Sequence, residues 1–238
     1  MSGADFEQVK RLIADVDGWL TVAEARTLYD AARACTGRGV IVEIGSWKGK
    51  STIVLARGSR AGSGVPVYAV DPHADYRFGE FQANVERAGI ADLVTPIRSF
   101  SQAAADDFDE PIEVLFVDGS HEEALVREDV EKWLPKVVDG GFVAFHDTTW
   151  HAGPRRVIGE RVYRARDFAD VRFVLASTTA ARKVVQNTAA DRACARLQLA
   201  KKTAFWLATL PVQKSRRRLP KGVKRLGRRL IGFSGTRG

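Results

Sequence analysis

The stretch Val40-Ile41-Val42-Glu43-Ile44-Gly45-Ser46-Trp47-Lys48-Gly49-Lys50-Ser51-Thr52 decides the fold. Four β-favouring residues, with one acid among them, run into a turn that holds two glycines, and Ser51 to Ala56 behind it reads as helix. Strand, tight loop and helix start, in that order, make a corner. A glycine at the strand end lets the backbone turn and a ligand approach without a Cβ in the way, and the helix N-terminus offers free N–H groups. Such a corner suits a nucleotide-like ligand.

Spacing separates the ligand classes that use corners of this kind. A dinucleotide fingerprint needs G-x-G-x-x-G, but position 47 is Trp and the glycines stand four apart. The Walker loop is a closer match, because Gly49-Lys50-Ser51 copies its end and Val114 to Asp118 resembles its magnesium-binding strand. This loop is one residue short of G-x-x-x-x-G-K-[ST], however, and has too few N–H groups to wrap a β-phosphate. Glu43, two residues before the first glycine, is a poor neighbour for polyphosphate and a good acceptor for a cationic, amino-acid-bearing cofactor. The expected ligand is neutral or positive, and a P-loop-like nucleotide-binding protein is the rival from another class.

Working outward, residues 5 to 36 read as two helical pieces split near Asp17-Gly18, with Leu12, Ile13 and Val16 on one face and Ala25, Leu28, Tyr29 and Ala32 on the other piece's face. They form a cap or lid, residues 1–36. Val65 to Val70 is a second strand ending at Asp71, and Arg77 to Ala88 a helix. The segment from Val94 to Ser99-Phe100 follows, and Ile112 to Val117 is a fourth strand ending in Asp118-Gly119-Ser120-His121. Glu122 to Val137 reads as helix, with Ala124, Val130, Trp133 and Leu134 inward, and Asp139-Gly140-Gly141 as a turn. Phe142 to Phe145 is a fifth strand ending in His146-Asp147-Thr148-Thr149, and Arg155 to Arg166 a helix. Val171 to Ala176 and Arg182 to Val185 then pair as a hairpin joined through Ser177-Thr178-Thr179. The alternation predicts an α/β, doubly wound, mostly parallel sheet over residues 37–186, with one reversed strand on its edge.

Charge sets the remainder apart. The 238 residues carry a net charge of +8, yet residues 187–238 alone hold 14 Lys/Arg against one acid, leaving the first 186 residues at −5. Ala193 to Leu210 is helix-compatible, and beyond Pro211 basic clusters alternate with Leu219, Val223, Leu226, Leu230, Ile231 and Phe233. An anionic membrane surface suits that pattern; nucleic acid and a solvated tail are the rivals. No run of ~18 apolar residues and no apolar signal core occur, so a cytoplasmic protein is expected, peripheral at the inner membrane face if the tail binds lipid. Cys35 and Cys194 have no ligand-like spacing and read as packing residues.

Glu43-x-Gly45-x-x-x-Gly49-x-Ser51 resembles the first motif of class I S-adenosylmethionine (SAM) methyltransferases, in the variant of the catechol O-methyltransferase group and the macrocin-type sugar O-methyltransferases. The likeness covers about residues 20 to 186, and the segment from Val94 to Ser99-Phe100 resembles the family's third strand. It implies a seven-stranded Rossmann-like sheet, SAM over the first strand ends, and a divalent ion, Mg²⁺ or Mn²⁺, beside an acceptor hydroxyl. Glu43, Gly45, Ser46, Gly49, Ser51, Asp71, Ser99 and Asp118 are the candidate cofactor residues. Asp71, an acid at the end of the second strand, is placed to accept both hydroxyls of a ribose, a helix cap or turn acid before Pro72 being the lesser alternative; Ser99 fits an adenine neighbour and equally a turn residue. Asp118, His146 and Asp147 match the metal positions, although His146 departs from the two acids or Asp-Asn pair common there, and an imidazole suits Mn²⁺, Fe²⁺ or Zn²⁺ better than Mg²⁺. The bland alternative makes them strand-end acids and a packed histidine.

A hydroxyl acceptor must lose a proton, and His121 is the first candidate base, with His146 also in the catalytic set and His151 second in line. His73 reads as a surface or cofactor-rim residue, and Trp47 as a wedge between loop and helix. The function expected is SAM-dependent O-methylation of a small molecule, sugar or glycolipid. A nucleic-acid methyltransferase is the alternative, but no Asn-Pro-Pro-Tyr base-handling motif is present.

Overall fold

In the computed structural model, which describes residues 2–73 and 75–218, the opening strand lies inside a seven-stranded sheet. β1 (Val40–Ile44) runs parallel between β2 (Val67–Val70) and β4 (Ile112–Val117), with β3 (Val94–Ile97) outside β2 and β5 (Val137–Phe145) outside β4. β7 (Thr178–Lys183) pairs antiparallel with both β5 and β6 (Phe168–Val174), giving the order 3-2-1-4-5-7-6. The chain thus steps outward one way from β1 to β3 and the other way from β4, so β1 and β4 flank the crevice at which such sheets bind ligands.

Helices explain why the central strands are apolar throughout. Ile41, Val42, Leu115 and Phe116 are all 0% exposed, because both faces of a mainly parallel sheet are covered. One face packs against α1 (Ser2–Ala14), α2 (Val22–Arg33), α3 (Lys50–Arg60) and α4 (Asp75–Arg87), through Phe6, Leu28, Ile53 and Phe81. The other packs against α5 (Ser101–Asp106), α6 (Glu123–Trp133) and α7 (Ala152–Arg161), through Ala104, Val126 and Val157. α2 and α3 approach so closely that a Cβ at Gly58 would stand 2.5 Å from the Tyr29 carbonyl oxygen. Both expected cap helices form, and Ala25, Leu28, Tyr29 and Ala32 are all buried. α8 (Ala189–Arg218) lies along β6, with Ala195 and Leu199 joining the second core.

The structure corrects the sequence reading in several places: the helix read as Arg155 to Arg166 is α7 and ends at Arg161, β7 begins at Thr178 within the expected turn, and Cys194 is exposed instead of packed. α6 stops at Trp133, a 3₁₀ turn carries Pro135, and β5 starts at Val137, so Asp139-Gly140-Gly141 lies within a strand instead of a turn. Gly140, at φ +77°, accommodates the irregular pairing of β5 with β4 there. Ala124 is exposed, and Val126 takes the inward position instead. The expected antiparallel hairpin forms at the sheet edge from β6 and β7, but its reversed strand, β7, is second from the edge, since Thr178 to Ala181 are buried and fit between β5 and β6. The basic side chains from Lys214 onward, and all residues past Arg218, lie outside the described residues. No helix among the described residues is long and apolar enough to cross a membrane.

Candidate functional site

The corner after β1 is built by backbone approach. Gly45 has φ +87°, and a Cβ there would lie 2.2 Å from the Asp118 carbonyl oxygen, so the ends of β1 and β4 meet only because this residue is glycine. The glycine thus serves the sharp turn that the sequence suggested and, in addition, the contact between the two strand ends. Gly49, at φ +83°, caps α3. The turn between them is tied to β2: Asp71 accepts the Trp47 N–H at 2.9 Å and the His73 N–H at 2.9 Å, one on each carboxylate oxygen. Ser46 is buried, its Oγ 3.3 Å from His73 Nε2, and His73 is itself buried beside Phe81, which corrects its reading as a surface residue.

Glu43 is 0% exposed, its Oε2 accepting the Thr52 hydroxyl across to α3. Burial pushes its pKa up to about 7, against the pull of the Ser51 and Thr52 hydroxyls and helped by the charges of Asp118 and Asp71. The enclosed carboxyl joins β1 to the start of α3 through Oε2, and its Oε1 has no hydrogen-bond partner among the described residues. Ser99 donates its hydroxyl to the Phe100 carbonyl at 3.2 Å, and the Phe100 ring beside it is exposed at the start of α5. Acids therefore gather at the carboxyl ends of β1, β2 and β4.

The two lysines of the turn face elsewhere. Lys48 pairs with Asp17 at 3.1 Å and Glu80 at 2.6 Å. Lys50, 7% exposed, donates to the Val16 carbonyl at 3.0 Å and the Gly18 carbonyl at 3.4 Å. The Walker-like Gly49-Lys50-Ser51 thus spends its lysine on the linker between α1 and α2, which removes the cation a phosphate-binding loop depends on. The same linker stacks Trp19 on Trp47, ring centroids 5.6 Å apart, so the cap is fixed to the turn from above.

Beside this lies a second cluster, at the ends of β4 and β5. Asp118, His146 and Asp147 converge as the sequence led one to expect: His146 Nδ1 is 3.1 Å from Asp118 Oδ1 and 3.5 Å from Asp147 Oδ1. His121 Nε2 lies 2.8 Å from Asp147 Oδ2, and its ring stacks on His151 at 3.7 Å between centroids. The Asp147 hydrogen bond raises the His121 pKa, whereas burial lowers that of His151. Burial alone would lower His146 and raise Asp118 and Asp147. The charge and hydrogen bond of Asp118, with the hydrogen-bonding carboxylates of Asp147 and Glu24, instead hold His146 well above its ordinary value, Asp118 stays raised by burial, and hydrogen bonds from His121 and His146 hold Asp147 below the usual carboxylate range. Ligand atoms of Asp118, His146 and Asp147 lie within 4.8 Å of one another, as do those of His121, Asp147 and His151.

Sequence reasoning missed Glu24. Thr21-x-x-Glu24 is a capping box at the start of α2, which a reader could have found, but the carboxylate also accepts the Ser177 N–H at 3.0 Å and the Thr178 hydroxyl at 2.9 Å, and lies 3.7 Å from His146 Nε2. The cap is thereby joined to the cluster through a residue 2% exposed.

Residues 42–148 match the family model described as a methyltransferase domain. An uncharacterized protein of Sinorhizobium fredii, y4gI, is 30% identical over 120 residues, which are 45% of this chain and 13% of that protein. The chain therefore spans about an eighth of that relative's length. Among solved structures, the O-methyltransferase NovP superposes with a TM-score of 0.65 at 14% identity, covering 77% of this chain and all of NovP (100%). An O-methyltransferase from Bacillus cereus, solved in complex with SAH, superposes at 0.57 and 18% identity, over 77% of this chain and 92% of that one. At these identities the superpositions speak for the fold.

Proposed function

We propose, from the match of residues 42–148 to a methyltransferase domain, that the chain moves the methyl group of SAM to a hydroxyl of a small molecule, a sugar or a glycolipid. The observation that carries this reading is the charge at the crevice. Glu43, Asp71 and Asp118 lie close enough for the last two to disfavour ionisation of the first, while Lys48 and Lys50 are bound elsewhere. A sulfonium cation is stabilised in such a field and a triphosphate is repelled. Asp71 accepts one N–H on each oxygen, which leaves lone pairs for the two ribose hydroxyls.

The acceptor reacts at the ends of β4 and β5. Methyl transfer requires the hydroxyl oxygen in line with the sulfonium methyl at about 3 Å, and removal of the hydroxyl proton. His121 is the base. With its Nε2–H donated to Asp147, the lone pair is on Nδ1, and that atom receives the proton while Asp147 stabilises the imidazolium. Asp118, His146 and Asp147 fit a divalent ion by their donor set, two carboxylates and an imidazole at mutually compatible distances, and that mixture suits Mn²⁺ better than Mg²⁺. When bound there, the ion would lower the pKa of the acceptor hydroxyl.

The test is a SAM-to-S-adenosylhomocysteine turnover assay over a panel of hydroxyl-bearing acceptors, with and without EDTA. Turnover with at least one acceptor is expected; SAM binding with no turnover on any hydroxyl would remove the O-methylation reading.

A further inference from the structure

A cavity of about 130 Å³ lies apart from the strand-end cluster, between the segment after β5, α7 and α8, lined by Thr149, Arg155, Leu199, Lys202, Thr203 and Trp206. A single water needs only about 10–15 Å³ on this measure, so the space admits several waters or one tetrahedral oxyanion with water.

Its lining is cationic. Lys202 is 2% exposed, with its ammonium 3.3 Å from the Thr179 hydroxyl and over the Tyr163 ring at 5.0 Å. Arg155 stacks on Trp206 at 4.4 Å and donates to the Thr149 carbonyl at 3.3 Å. Neither cation forms an ion pair among the described residues. Burial, with the charge of Arg155, pushes the Lys202 pKa down to about 7, as expected for a buried ammonium that lacks a counter-charge. The independent observation is Thr149, a lining residue of this cavity: it is 0% exposed, and its hydroxyl has no hydrogen-bond partner among the described residues. A buried donor left without a partner is costly, and so is a buried cation. One ligand would relieve both.

We propose that this cavity binds a phosphate group, held by Lys202 and Arg155 and receiving a hydrogen bond from the Thr149 hydroxyl. Two cations match a phosphate or phosphomonoester carrying nearly two negative charges better than they match a carboxylate. Thr203 at the rim is exposed, so the group can be free phosphate or the end of a larger phosphorylated ligand. The proposal is independent of methyl transfer.

The experiment uses the full chain and follows its thermal midpoint and calorimetric heat while inorganic phosphate is added at constant ionic strength against chloride, and then repeats the titration with glycerol 3-phosphate. Saturable stabilisation by phosphate is expected; stabilisation by glycerol 3-phosphate as well would mark the site as one for phosphorylated ligands. Lys202→Met should weaken phosphate binding by about tenfold or more, and Thr149→Val by several-fold, while Lys201→Met, an exposed neighbour, leaves it unchanged. In chloride alone Lys202→Met should be at least as stable as the parent, because a buried uncompensated charge has gone. Should that variant not fold, Thr149→Val carries the test alone. No shift beyond the chloride control, or equal shifts in the parent and the cavity variants, overturns the proposal; the second result would assign the binding to the basic tail.

Discussion

Replacing Glu43 by Gln separates a structural acid from one that touches the cofactor. The carboxyl is fully enclosed, and its pKa is pushed from the ordinary 4.5 to about 7, chiefly by burial. Between those values the folded chain binds more protons than the unfolded one, so stability falls as pH rises through the window and is level above it. The span corresponds to on the order of 3 kcal/mol, at about 1.4 kcal/mol per pH unit. Gln has the same shape, can still bond the Thr52 hydroxyl and never ionises. In urea denaturation the parent should lose stability from pH 5 to pH 8 more steeply than Glu43→Gln, with the variant ahead by roughly 3 kcal/mol at pH 8 and the two nearly equal at pH 5. SAM affinity by calorimetry should change by less than about threefold, since the carboxyl acts through α3. A variant less stable than the parent at pH 8, or one whose SAM affinity falls more than about tenfold, would refute the reasoning.

Other expectations follow from the same geometry. His121→Gln should lower kcat by about 10²–10⁴ and leave SAM binding in place; in the parent, kcat/KM should rise with pH through a value above 6.5, because Asp147 raises the pKa of a base that must be neutral. A flat profile would remove the assignment. Gly45→Ala puts a Cβ 2.2 Å from the Asp118 oxygen at φ +87°, and its urea midpoint should show a loss of ~2–4 kcal/mol; a neutral result would mean that the strand ends can part freely. If the Asp118, His146 and Asp147 set binds metal, EDTA should reduce turnover and Mn²⁺ should restore it at lower concentration than Mg²⁺. Activity indifferent to EDTA would leave the three as a charge network.

The sequence carried local information well. The apolar run before Gly45, the helical faces of α2 and the acids that end β2, β4 and β5 all depend on neighbours within a few residues, and each is where its pattern led. Long-range pairs were not legible. Glu24 meets Ser177 at a separation of 153 residues, and nothing in a capping box announces a second partner. Lys50 was legible as a Walker-like lysine because the motif is local, yet its fate depends on the Val16 and Gly18 carbonyls of another segment. His73, beside Pro72, read as a surface or cofactor-rim residue, and nothing in its local sequence announces the Phe78 and Phe81 rings that pack on it here. Lys202 lies among charged and apolar residues on α8, and only the packing of that helix against β6 and α7 reveals it as buried.

The central claim is that the acid-lined crevice beside Gly45 receives a sulfonium nucleoside. Calorimetric titration of the full chain with SAM, and separately with ATP and Mg²⁺, tests it most directly. One saturable SAM site, abolished in Asp71→Ala, with no heat from ATP, is the result predicted; ATP binding without SAM binding would contradict it.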